Sequence, residues 1–264
     1  MENNCLNCNH TITENFCSHC GQKKYKKIDK KYVFDELQYT VLHANKGFLY
    51  SVKNIIKNPG KTARGFIDGN RVNHYKPVLL AFVLSGISAF CAFKIVGLAG
   101  IMASYYSKER LSSPFMIDYL SFTSTYHSII MLLLIPFLAL TTNLSFRRWG
   151  HNYYEHVVIN AYILSFYTLI TIVIIYPLMY LFKSNSDLVV SITSLSMLML
   201  PFILTWFFKQ FYKERSLKSI IRRILLIFLS TGVGLSILMF IVAIGVVIFA
   251  VLKGPEALEY LKSK

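Results

Sequence analysis

Four cysteines within the first twenty residues carry the clearest chemistry in the chain. Cys5 and Cys8 form one Cys-x-x-Cys hook, and Cys17 and Cys20 form a second followed by Gly21, in CLNCNHTITENFCSHCG. Two such hooks can present four thiolates tetrahedrally to Zn²⁺, with the glycine letting backbone amides turn in toward sulfur. A segment this short has no core of its own, and structural zinc supplies roughly 10–16 kcal/mol of apparent binding energy to fold it. An iron site or a redox dithiol would use the same residues, and both stay open. Clustering of this kind points to metal in a reducing compartment rather than to a disulfide framework. His10 and His19 lie beside the hooks, but four thiolates already complete a shell. A closed Cys₄ shell is structural, so the head (1–22) is expected to recognise or pack and not to catalyse.

The other candidate constellation is His151, Glu155 and His156 in WGHNYYEHVVINAY. Glu155 with His156 resembles part of a metalloprotease motif, yet no histidine precedes Glu155 directly. The spacing that puts two zinc-binding histidines on one helix face is missing as well. Pairing of Glu155 with Arg147 and Arg148, or with a base further upstream, is the simpler expectation. No catalytic residue is assigned and the chain is not read as an enzyme.

These residues have to be positioned by a chain of 264 residues that is 54% hydrophobic and only 16% charged, with a mean hydropathy of +0.46 and a formal net charge of +15. That combination is too apolar for an ordinary soluble domain and marks a membrane protein with localised basic loops. The N-terminus MENNCLNCNH is polar and carries no secretory signal. A membrane crossing needs about 20 apolar residues. Five runs qualify, near 78–100, 125–144, 157–182, 188–208 and 224–252, joined by polar connections of which 101–124 is the longest. The expected fold is an all-α five-helix transmembrane bundle (77–252) with a zinc-ribbon-like head and a polar tail (253–264). Segments 23–76, 145–156 and 209–223 fall on one side and hold 21 Lys/Arg, against 6 on the other. By the positive-inside rule the N-terminus is cytoplasmic and the C-terminus outside. Prolines 136, 177 and 201 lie inside runs, where they usually only kink helices. No Asp or Glu stands at mid-run, which weakens transport by the bundle.

Between head and bundle lies a basic region, 23–76. Gln22–Lys31 reads as a tether and Tyr32–His43 as a helix. In the next helix Phe48, Leu49, Val52, Ile55 and Ile56 share one face, with Lys46, Lys53 and Lys57 opposite. Asn58-Pro59-Gly60 ends it and opens another helix through Ile67, and Asp68-Gly69-Asn70 is a turn. A basic amphipathic helix beside a span usually lies in the interface, so Lys46, Lys53, Lys57, Lys61, Arg64 and Arg71 are candidate contacts for anionic lipid. No nucleic-acid partner is expected, because no Lys or Arg precedes Lys23.

The head, the stretch HANKGFLYSVKNIIKNPGKTARGFIDGNRVNHYKP and the later NYYEHVVINAY together resemble an uncharacterised family of bacterial membrane proteins, a domain of unknown function. Its members have a zinc-ribbon-like head, a PG-x-x-x-x-x-x-I-x-G-x-R segment and several membrane helices. Pro59, Gly60, Gly69, Arg71 and Pro77, with Asn152, Tyr153 and Glu155, carry the resemblance; Asn70 stands where a lysine is expected. The resemblance implies a place in the bacterial inner membrane and no activity. The expected function is a membrane-anchored adaptor whose ribbon and basic collar bind an unidentified protein partner and anionic lipid. The alternative is a small-molecule or lipid transporter built on the bundle.

Overall fold

In a computed structural model, residues 4, 5, 8, 10–21, 47–71, 74–254 and 260 are described, with 249–253 described by their backbone alone. The tether, the Tyr32–His43 helix and Lys46 lie outside the described residues. The chain forms two compact units, Met1–Asn45 and Lys46–Lys264.

The described residues of the first unit, 4, 5, 8 and 10–21, form a knuckle with almost no regular structure. An isolated antiparallel bridge joins Asn4 and Thr11. Cys5, Ile12 and Cys17 are its buried residues, with Cys8 packed against them. Gly21 takes φ +74° and donates its amide to the Cys17 carbonyl, a reversal that a side chain would oppose.

Among its described residues, the regular structure of the second unit is all helical. Two short helices, α1 (Gly47–Lys57) and α2 (Pro59–Ile67), precede the long ones. Among the described residues, five helices are long and apolar enough to cross a membrane: α3 (Pro77–Val96), α6 (His127–Trp149), α7 (Tyr153–Leu181), α8 (Ser186–Phe211) and α9 (from Leu217). The positions correspond to the five runs read from hydropathy. The connection after α3 is not a loop but a pair of helices, α4 (Leu98–Lys108) and α5 (Pro114–Thr125). Ser113 explains the second of them: its hydroxyl accepts from the Met116 amide, and Pro114 fills the first helical position.

Helix α7 is central. Its Ile159, Ala161 and Tyr162 are wholly buried, Ala161 with Ala81 of α3 and Ile135 of α6, and Tyr162 against Phe66 of α2. Asn160 donates to the Thr142 hydroxyl across the α6–α7 contact at 2.8 Å, satisfying a polar group that lipid could not. Helix α9 is outermost and leaves Met239, Phe240 and Val247 exposed, a surface suited to hydrocarbon chains. Glu155 and Asp187 are the only carboxylates in the five helices, each in a first turn where the helix dipole favours it.

The collar α1–α2 belongs to the main core, where Ile55, Ala63 and Tyr75 cluster with Phe146, Tyr162, Phe207 and Phe208. Docking α1 on the bundle divides its apolar residues. Phe48, Val52 and Ile55 turn inward, whereas Leu49 and Ile56 are 73% and 51% exposed. The single apolar face read from periodicity is thus two adjacent faces, one packed and one open.

Candidate functional site

In the head, the four expected ligands come together. The sulfurs of Cys5, Cys8, Cys17 and Cys20 all lie within 4.8 Å of one another. Cys5–Cys20, Cys8–Cys17 and Cys8–Cys20 are 3.5, 3.6 and 3.4 Å apart. A tetrahedron of thiolates about 2.3 Å from a zinc ion has edges of about 3.8 Å, so the set fits such a metal with little adjustment. The separations also far exceed the ~2.05 Å of a disulfide. A backbone hydrogen bond with His10 lowers the Cys8 thiol, but lost hydration and the sulfurs of Cys20, Cys17 and Cys5 push it up to about 12. Crowding of this kind is relieved when a cation binds and the thiols ionise. His10 and His19 stack on each other, centroids 5.6 Å apart, and supply no ligand to the set. Cys₄ sites of this geometry cross-link a short chain; they leave no position for substrate.

The collar residues scatter among several roles. Lys53 and Lys57 are exposed on α1 and Lys61 on α2. Arg71 instead closes α2: its Nε donates to the Phe66 carbonyl at 3.1 Å and its Nη2 to Ile67 at 3.5 Å, with the guanidinium over the Phe66 ring. Both carbonyls lie at the C-terminus of α2, where a cation is favoured, and that of Phe66 also accepts the Gly69 amide. Arg64 is held from both sides. Its Nε donates to Asp68 at 2.8 Å, its Nη1 lies 3.5 Å from His151 Nε2, and it sits over Phe211. His151 Nδ1 is 3.2 Å from the Tyr212 hydroxyl. A neutral imidazole can accept from Arg64 and donate to Tyr212, so this geometry selects the Nδ1–H tautomer. Burial, and secondarily the Arg64 charge, hold His151 below the ordinary histidine range despite the opposing effect of Glu155. Burial likewise raises the Tyr212 phenol.

Glu155 does not pair with Arg147 or Arg148; no ion pair joins them. Its carboxylate accepts the Asn152 amide at 2.8 Å, and its own amide donates to the Asn152 side chain at 3.0 Å. This capping box starts α7. Arg147 and Arg148 are exposed on the turn that ends α6. His156 is fully buried beside Phe146, one helical turn inside α7. His151 therefore stands in the turn before α7, Glu155 caps that helix and His156 packs inside it, and the three are not grouped as metal ligands.

Sequence reading missed the residues that lock the collar in place. Gly60 donates its amide to the Gln210 side chain at 3.0 Å. Ser51 accepts from the Tyr75 amide at 2.8 Å and approaches His74 Nδ1 at 3.5 Å. Trp149 lies under both Arg215 and Arg223. The Pro-Gly pair was the one visible signal. Its partners lie far along the chain.

Fold and site together define an all-α chain with five candidate membrane spans and an N-terminal cysteine cluster able to hold a metal ion. A family model described as "Protein of unknown function (DUF3667)" matches residues 45–89, which takes in α1, α2 and α3 as far as Ala89. The resemblance carried by the Pro59–Arg71 segment holds over that stretch. No curated protein and no solved structure matches the chain.

Proposed function

We propose that the protein is a membrane-anchored adaptor whose N-terminal metal knuckle binds a partner protein beside the bilayer. The observation that carries this reading is the closed set of four cysteine sulfurs in a compact unit separate from the one holding the spans. A saturated thiolate shell stabilises a recognition surface and offers no open coordination position for chemistry. Zinc is the metal the donor set favours, being without redox chemistry and indifferent to all but tetrahedral packing. The distribution of 21 Lys/Arg against 6 supports a cytoplasmic knuckle in a bacterial inner membrane. On α1, Lys53 lies beside exposed Leu49 and Ile56 on one stripe and not opposite them as expected from the sequence, an arrangement that suits contact with an anionic lipid surface.

Affinity purification of full-length protein from native membranes tests the reading. Wild type and the Cys17→Ser/Cys20→Ser variant are compared for bound metal and for co-purifying proteins by mass spectrometry. The adaptor reading expects a protein that leaves together with the metal. An unchanged set of proteins after metal loss would overturn it and move attention to transport by the bundle.

A further inference from the structure

Where the collar meets the ends of α6 and α8, the second unit encloses a cleft of about 670 Å³. That lies in the ~300–1,000 Å³ range of small-molecule sites. We propose that this cleft binds a phosphate-bearing anion through Lys61, Arg64, Lys213 and Arg215, which all line it. The inference rests on the second unit alone and is independent of the cysteine knuckle.

Charge makes the first argument. Among the described residues the four cations face two carboxylates in the cleft wall, Asp68 and Glu214, and Asp68 is already taken up by Arg64. The second argument is that the wall is built in advance. Asp68 and His151 occupy Arg64 Nε and Nη1, which fixes the plane of the guanidinium and leaves Nη2 for a ligand. Lys209 donates to the carbonyls of Lys213 and Arg215 at 3.0 and 2.9 Å, holding the 213–215 turn against the end of α8. Arg215 is steadied over the Trp149 ring, its guanidinium carbon 5.1 Å from the centroid. Guanidinium groups fixed in this way suit the tetrahedral oxygens of phosphate, and lysines add point charge.

Position supplies the third argument. Trp149 ends α6, Phe211 ends α8 and the collar precedes α3, so all three walls belong to one membrane face. Tryptophan and tyrosine at that level mark headgroup depth. The phosphate can therefore come from a lipid headgroup or from a soluble phosphomonoester, and the two sources are separable by experiment.

Full-length protein in phosphatidylcholine nanodiscs is titrated calorimetrically with dihexanoyl phosphatidic acid, glycerol 3-phosphate and uncharged dihexanoylglycerol. We expect saturable binding of a phosphate-bearing probe and none of dihexanoylglycerol. Lys213→Gln/Arg215→Gln should weaken it at least about tenfold, as loss of charge-assisted hydrogen bonds does. Lys218→Gln/Arg222→Gln removes equal charge from exposed neighbours outside the cleft and should change it less than about twofold. Lys61→Gln, on the opposite wall, gives the same reading without touching the 213–215 turn. Binding of phosphatidic acid alone assigns a lipid headgroup; binding of glycerol 3-phosphate as well assigns a soluble ligand. Absence of saturable binding by both, or equal losses in the cleft and control variants, overturns the proposal.

Discussion

Replacing Gly60 with alanine probes how the collar is attached to the bundle. A Cβ at this position would lie 2.0 Å from the Phe207 carbonyl oxygen, 2.8 Å from Gln210 Cβ and 2.9 Å from the Phe211 amide nitrogen. The first contact is about 1.4 Å short of the 3.4 Å at which ordinary contact begins, and its partner is backbone that cannot rotate away. Helix α2 must therefore lift off α8, and the hydrogen bond from Gly60 to Gln210 goes with it. Overpacking of this kind costs about 1–3 kcal/mol. The lost hydrogen bond adds roughly 0.5–1.5 kcal/mol. Better helix propensity returns up to about 1 kcal/mol, leaving a net loss near 2 kcal/mol. Gly65, in the same helix, meets nothing within 4 Å and is the matched control. Thermal unfolding in detergent, followed by circular dichroism and by protease sensitivity of residues 47–71, should place Gly60→Ala several degrees below wild type. Gly65→Ala should unfold at or slightly above it. Equal behaviour of the two variants would refute the close-approach argument.

Three further outcomes follow from the same geometry. Purified protein should carry one metal ion per chain by elemental analysis, lost in Cys5→Ser and released as pH falls, because thiolate ligands must stay deprotonated; metal content indifferent to acid would contradict the four-thiolate site. His74 and His151 are both held below the ordinary histidine value of about 6.5 by burial, so the folded collar takes up protons less readily than the unfolded chain. Their contribution is complete above about pH 6.5 and declines as pH falls below it, so the collar should become protease-sensitive toward pH 5. His151→Asn should flatten that decline, and a decline on the alkaline side instead would show the sign to be wrong. Cysteines placed at the exposed positions Ser184 and Ser216 should differ in intact cells: an impermeant maleimide should label Ser184→Cys and spare Ser216→Cys. The reverse pattern would invert the topology.

The parts legible in the sequence are those decided by local composition. Hydropathy places the spans because a crossing helix must be apolar over its whole length, and two Cys-x-x-Cys hooks place the sulfurs because each hook is a local turn. Segment 101–124 reads as a connection because its polar residues lower the average, although Ser113-Pro114 is a start signal for α5. On α1, periodicity groups Leu49 and Ile56 with Val52 and Ile55; only docking against the bundle separates them. The arginines were the least legible. Composition makes each a candidate lipid contact, yet Arg71 closes its own helix and Arg64 is held by His151, 87 residues away. Gly60 likewise owes its role to a helix 150 residues downstream, and one sequence carries no trace of that pairing.

Reversible metal dependence of partner binding tests the central claim most directly. Full-length protein is captured with its partners from native membranes, stripped with a zinc chelator, and then reloaded with Zn²⁺ in the presence of the eluted fraction. The adaptor account predicts that a defined protein elutes on chelation and rebinds on reloading, while the spans remain folded. A partner retained through chelation, or no protein released at all, would contradict it.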